Sequence, residues 1–128
     1  MRKVSEKTAN RNREAAPWRD ALKARVGRCE HCLKPKDPAY LDCDEISRGS
    51  CRGISMTAEF AILVVCRPCH RIVQPWPRAK RLALLMLARS SDYDLDAFHR
   101  LTKRRFPEQE AVDAEIRGLL AIREAVTR

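Results

Sequence analysis

The amino-acid sequence predicts an α+β fold in which a small cysteine module, held together by a metal ion, is flanked by α-helices. The 128 residues include only 4 glycines and 5% aromatic residues, which favours helices over a sandwich of many short strands. Two C-x-x-C pairs and two short apolar runs lie between the helical segments. A chain of this length builds a modest core, so a metal ion that links distant parts of the chain would add stability.

The N-terminal part of the chain is expected to contain a mobile segment followed by a helix. Residues 1–16 are basic and lack apolar periodicity, so we expect them to be mobile. Pro17 is suited to the first turn of a helix, and Gly27 is suited to end it. These features predict a helix between the two residues.

The central part is expected to supply two short strands and a short helix. Residues 39–43 have the pattern of a strand, and the apolar run 59–65 is either a second strand or the start of a buried segment. Residues 47–55 form a loop rich in Gly, Ser and Arg, and a short helix can begin at Pro68. We place the boundary of this module near residue 74.

The C-terminal part is predicted to be helical. A break at residues 75–77 precedes a helix over 78–89, and Asp94, or Asp92 before it, can cap the next helix. Pro107 is expected to start the last helix, whose apolar face comprises Val112, Ile116, Leu119, Leu120 and Val126. The predicted organisation is therefore a basic segment at 1–16, a zinc-stapled domain at 17–74 and a helical appendage at 75–128.

The two C-x-x-C pairs predict a structural zinc site. Cys29 and Cys32 form the first pair, and Cys66 and Cys69 form the second, 34 residues further on. Four thiolates on two knuckles make a closed tetrahedral site, and the ion closes a long loop and couples to folding. The alternative is a set of buried or redox-active cysteines.

Three further residues bear on the ligand set. His31, inside the first knuckle, is expected to be an exposed residue rather than a ligand. Cys43 is expected to pack in the first strand and Cys51 to be a loop thiol, although either could substitute as a ligand.

The distribution of charge indicates nucleic acid as a partner. The net charge is +9, with +6 in residues 1–28 and +5 in residues 74–105, around a neutral stretch at 29–73 that contains all the cysteines. Phosphate is the natural partner of two basic flanks. The alternative is the solvated surface of a basic protein.

The sequence has no apolar run of membrane-spanning length and no signal peptide pattern, so we expect an intracellular location with reduced thiols.

Three segments carry a resemblance to a known family. They are GRCEHC at 27–32, LDCDEISRG at 41–49 and LVVCRPCH at 63–70, followed by a helical stretch at 76–98. With these segments the chain resembles the HNH endonuclease family, in the cysteine-rich form common in bacteriophages. The resemblance covers roughly residues 17–105. It implies a ββα-metal fold that grips one divalent ion, and cleavage of phosphodiester bonds.

The resemblance also implies candidate catalytic residues. In the family a His at the end of the first strand usually acts as general base, and the His after the last cysteine usually binds the catalytic metal. His70 matches the latter position, Asp44 and Glu45 fall where the first His or His pair usually lies, and Ala61 falls near a common Asn. Asp44 can bind Mg²⁺ or Mn²⁺, whereas Glu45 would need a raised pKa to act as base. The alternative for Asp44 and Glu45 is a solvated acidic turn.

Four arginines near the candidate site, Arg48, Arg52, Arg67 and Arg71, are candidates for holding phosphate.

The favoured function is a metal-dependent DNA endonuclease of phage or mobile-element origin, working in the cytoplasm of a bacterial host if phage-encoded. One alternative is a nuclease-derived zinc module that binds nucleic acid without cleaving it. Another is a zinc-ribbon protein that binds a protein partner through the acidic helix at 108–126.

Overall fold

The computed structural model describes residues 6–47, 58–102 and 108–127 and has mixed α+β architecture, as the sequence predicts. The helices are α1 (Glu6–Val26), α2 (Arg67–Val73), α3 (Arg78–Ala88), α4 (Leu95–Thr102) and α5 (Gln109–Thr127). Two strands, β1 (Leu41–Glu45) and β2 (Ile62–Cys66), form an antiparallel sheet. Within the described ranges, no helix is long and apolar enough to cross a membrane.

The sheet aligns the two five-residue strands so that Leu41 lies opposite Cys66 and Glu45 lies opposite Ile62. All five residues of β2 are buried, which explains its unbroken apolar sequence. Strand β1 begins two residues later than predicted from the sequence, because Pro38–Tyr40 form a 3-10 helix. Asp37 caps that helix by accepting a hydrogen bond from the Ala39 N–H at 3.0 Å.

Helix α1 differs from its predicted limits at the start but not at the end. It begins at Glu6, so the predicted start at Pro17 is wrong, and Pro17 lies inside the helix. Helix-forming residues before Pro17 and the burial of Ala15 support the longer helix, although Pro17 has no N–H to donate. Mobility of residues 1–16 stays a prediction. Gly27, with φ +63°, ends the helix as predicted, its N–H donating to the Lys23 carbonyl.

The C-terminal helices are capped and packed largely as the sequence indicates. Asp94 caps α4 by accepting the Ala97 N–H at 2.9 Å. The predicted start of the last helix at Pro107 lies outside the described residues. Helices α3 and α5 pack together, and α5 buries Val112 and Leu119 in the core. Leu120 and Val126 of the predicted apolar face are exposed, at 45% and 80%.

Candidate metal centre and the adjoining acidic cluster

The first cysteine pair lies in a tight knuckle immediately after α1. The Leu33 N–H donates to the Cys29 carbonyl at 2.8 Å, and the Cys29 N–H donates to the Lys34 carbonyl at 3.0 Å. Leu33 has φ 66°, a left-handed conformation that closes the turn and that a non-glycine residue rarely adopts. The Cys32 N–H points at the Cys29 Sγ, 3.4 Å away. Such an N–H stabilises a thiolate, which is the ligand form of cysteine.

The second pair joins the first because β2 runs straight into α2. Cys66 is the last residue of β2 and caps α2, while Cys69 lies in the first turn of that helix. The Sγ atoms of Cys29, Cys32, Cys66 and Cys69 all lie within 4.8 Å of one another. This is the one group of three or more His, Cys, Asp or Glu residues in the described part of the chain that could hold a metal ion.

The thiol pKa values differ strongly within the cluster. Burial raises the pKa of Cys29, but N–H donors from Cys32, Cys66 and His31 outweigh it and lower the value to about 7. Burial and the neighbouring thiols raise the pKa of Cys69 far above its ordinary value. Four crowded sulfurs, one of them easily ionised, are arranged to bind a cation, because a positive ion removes the mutual repulsion of thiolates.

Cys43, one of the alternative ligands that the sequence left open, is not in this cluster. Cys43 is half-buried in β1, and burial raises the pKa of its thiol. Cys51 lies outside the described residues. The expectation that His31 is exposed was wrong: its ring packs edge-on against Trp76, with centroids 5.4 Å apart, and its Nδ1 is buried. Burial, then the positive charges of Arg123 and Lys80, lower the pKa of His31.

An acidic cluster lies where β1 faces α2. The His70 Nε2 is 3.2 Å from the Asp44 Oδ1, and the His70 Nδ1 is 3.4 Å from the Asp42 Oδ2. Asp42 and Asp44 are two residues apart on β1, so both point to the face that α2 covers. Asp44 is 1% exposed and also accepts a hydrogen bond from Arg81 Nη1 at 3.3 Å. The structure therefore brings the two predicted residues Asp44 and His70 into contact.

Glu45 lies on the opposite face of β1. Its carboxylate pairs with Arg19 of α1, so it points away from the His70 side of the strand. Neither Asp44 nor Glu45 forms the solvated turn that was the alternative reading, since Asp44 is buried and Glu45 is half-buried in an ion pair. Ala61 is fully buried beside β2.

The four arginines proposed to hold phosphate divide into two groups. Arg67 and Arg71 are exposed on α2, next to His70 in the chain. Arg67 also contacts Asp42, with its Nε 3.9 Å from the Asp42 Oδ1. Arg48 and Arg52 lie outside the described residues.

Two residues of the site region, Asp42 and Arg81, were not predicted from the sequence. Asp42 was assigned only to a strand, although the alternation of side chains along β1 could have placed it on the same face as Asp44. Arg81 was counted only as part of a basic segment. Arg81, only 5% exposed, also donates to the carbonyls of Trp76 and Glu45 at 3.1 Å. Nothing in the sequence pattern indicates that an arginine of α3 would reach β1.

Comparisons with protein-family models, with curated proteins and with solved structures found no match to the chain.

Proposed function

We propose that this protein is an HNH-type, metal-dependent endonuclease that hydrolyses phosphodiester bonds in DNA. The observation that carries the proposal is the contact between His70 Nε2 and Asp44 Oδ1 at 3.2 Å, on a β1–β2–α2 unit that the four-cysteine cluster joins to the first knuckle. The resemblance to cysteine-rich HNH endonucleases, which are common in phages, supports a phage or mobile-element origin.

The cysteine cluster is assigned to structural zinc. Sulfurs at the corners of a tetrahedron with Zn–S bonds of about 2.3 Å lie about 3.8 Å apart, so a cluster within 4.8 Å needs only a small contraction. Four thiolates leave zinc no open position for substrate. The zinc ion therefore positions β2, α2 and the first knuckle, and the chemistry is assigned elsewhere.

Asp44 and His70 are proposed to hold the catalytic ion, Mg²⁺ or Mn²⁺. Two ligands on adjacent positions of an octahedral ion with bonds of about 2.1 Å lie about 3.0 Å apart, close to the observed 3.2 Å. Asp42 at the other ring nitrogen would hold His70 in the tautomer with Nε2 available, as carboxylates do beside metal-bound histidines. When bound, such an ion supplies an activated water and neutralises charge on the scissile phosphate.

The chain's other polar groups are assigned supporting roles. Arg81 balances the buried charge of Asp44 and fixes its carboxylate. Arg67 and Arg71, exposed beside His70, are proposed to bind the DNA phosphates together with Arg48 and Arg52. Glu45, the general-base candidate from the sequence, pairs with Arg19 on the opposite face of β1, so a water bound to the catalytic ion is the more direct source of the nucleophile.

The test is nicking of supercoiled plasmid by purified protein with Mg²⁺ or Mn²⁺. Conversion to the open-circular form, stopped by EDTA, is the expected result. The protein should be zinc-loaded at the start, so that EDTA added just before the reaction removes the weakly held ion first. No nicking with either ion would overturn the proposal.

A second candidate function is a zinc module that binds nucleic acid without cleaving it. The observation that favours it is Arg81, whose positive charge lies 3.3 Å from the Asp44 Oδ2 in a buried position, where it partly takes the place of a metal ion. Retention of labelled DNA without nicking would support this candidate. Neither retention nor nicking would leave binding of a protein partner as the remaining hypothesis.

A further inference from the structure

A cavity of about 400 Å³ lies beside the acidic cluster. Its walls are formed by Lys36, Tyr40, Cys66, Arg67 and Pro68. Arg67 belongs to both places, because it lines the cavity and its Nε lies 3.9 Å from the Asp42 Oδ1, while Asp42 in turn contacts His70. A ligand in the cavity would therefore lie next to the proposed cleavage site.

Tyr40 gives the cavity an exposed aromatic wall. The Tyr40 side chain lines the cavity and the residue is 63% exposed, so its ring is accessible to a ligand. Its backbone is held on the 3-10 helix, where the Tyr40 N–H donates to the Asp37 carbonyl at 2.9 Å and Pro38 restricts the first residue. Because the backbone is fixed, only the side-chain torsions of Tyr40 lose freedom when a flat group stacks on the ring.

Two cationic side chains complete the cavity. Arg67 is anchored by a hydrogen bond from its Nη2 to the Ala39 carbonyl at 3.2 Å, yet its side chain remains 58% exposed. Lys36 adds a second positive charge. The nearby negative groups are accounted for: Asp42 lies near the Arg67 Nε, and Asp37 accepts the Ala39 N–H. An aromatic face with two cations matches a nucleotide, whose base stacks and whose phosphate is anionic.

We propose that this cavity binds one unpaired nucleotide of the DNA strand, with its base on Tyr40 and its phosphate on Lys36 and Arg67. The inference rests on the proposed function, because it names the substrate feature that the endonuclease recognises. A base inside a duplex has both faces stacked on neighbours, so it cannot stack on Tyr40. The substrate is therefore a single strand, or a duplex that presents a flipped or unpaired base.

The test is binding of a fluorescein-labelled oligothymidylate, compared with a labelled blunt-ended, two-strand duplex of equal charge that has no unpaired base, without added divalent ions. Because stacking of a base on an aromatic side chain contributes about 1–3 kcal/mol, Tyr40→Ala should weaken binding of the single strand about 5- to 150-fold. Tyr40→Phe should retain it within about twofold. Duplex affinity should stay within about twofold in Tyr40→Ala, whereas Arg67→Ala should weaken both probes.

Zinc content and far-UV circular dichroism of each variant check that it is folded, and Tyr40→Phe provides a matched ring. Unchanged single-strand affinity in Tyr40→Ala would overturn the inference, as would an equal loss for the single strand and the fully paired duplex. The assay involves no cleavage. Loss of single-strand binding in Tyr40→Ala, together with absence of nicking by the unmodified protein, would therefore refute the endonuclease and keep the nucleotide site.

Discussion

Glu30 and Arg89 form a buried ion pair between the first cysteine knuckle and the end of α3. The Arg89 Nε donates to the Glu30 Oε2 at 2.8 Å, and the two residues are 0% and 8% exposed. The other carboxylate oxygen of Glu30 accepts the Val64 N–H at 2.7 Å, and Arg89 also donates to the Ile62 carbonyl. The pair thus connects the knuckle, β2 and α3 beneath the metal centre.

Breaking this pair should destabilise the protein strongly. Removal of one partner leaves a buried charge without compensation, so Glu30→Ala and Arg89→Ala should each lower the free energy of unfolding by about 3–5 kcal/mol. Urea titration of zinc-loaded protein measures this loss. The exposed residues Glu110 and Arg100 provide matched controls, and their alanine variants should stay within about 0.5 kcal/mol of the parent. A loss below about 1 kcal/mol in both core variants would show that the pair is not needed.

The contribution of Asp92 to stability should be constant near neutral pH and should fall only at acidic pH. Burial raises its pKa, but hydrogen bonds from Arg25 at 2.7 Å and Arg89 at 2.8 Å outweigh this and lower the pKa below 3.8. When the pKa of a carboxyl is lower in the folded state, its full contribution to stability is present at pH values above the ordinary pKa. That contribution is lost as the pH falls through the pKa of the folded state. Asp92→Asn should therefore cost about 1 kcal/mol, measured by urea unfolding, equally at pH 7 and pH 5. A cost that already shrinks between these pH values would contradict the assignment.

The purified protein should contain about one zinc ion per chain. Binding of structural zinc contributes on the order of 10–16 kcal/mol to folding, which equals or exceeds the free energy of unfolding of most domains. Cys29→Ser and Cys66→Ser should therefore lose both zinc and fold. Cys43→Ser is the control. Cys43 is not in the cluster, so this variant protein should keep its zinc ion. Elemental analysis and circular dichroism report the two quantities. A folded, reduced Cys66→Ser protein without zinc would refute a structural metal.

Binding to DNA should weaken steeply as salt rises from about 50 to 200 mM, because phosphate contacts release counterions. Residues 1–12 carry four basic and one acidic residue, so removing them should lower affinity and flatten the dependence on salt. Truncation there leaves Ala15, which is buried in α1, in place. Fluorescence anisotropy over that salt range is the measurement. Affinity that does not change with salt would argue against phosphate contacts.

Patterns that depend on local chemistry could be predicted from the sequence. The spacing of Cys29, Cys32, Cys66 and Cys69 was enough to place four sulfurs together. The apolar run before Cys66 predicted a second strand as one of two alternatives, and β2 confirms that one. Gly27 and Asp94 were correctly expected to end and start helices, because caps depend on a few neighbouring atoms.

Features that depend on tertiary packing could not be predicted. Glu30 and Arg89 are 59 residues apart, and each looks like an ordinary surface charge in the sequence. The start of α1 was missed because Pro17 is suited to a first turn, while the buried Ala15 that supports an earlier start is visible only in the fold. Arg81 was missed for the same reason, since its contact with Asp44 depends on how α3 packs on the sheet.

The proposed division of labour between two metals is tested most directly by the nicking rate of His70→Ala on supercoiled plasmid with Mn²⁺. His70 lies outside the four-sulfur cluster and is partly exposed, so its removal should leave zinc content and fold unchanged while nicking falls at least about 100-fold. His99→Ala on α4 is the matched control and should nick at the parental rate. Full nicking by His70→Ala, with one zinc ion per chain, would contradict the assignment of the catalytic ion to Asp44 and His70.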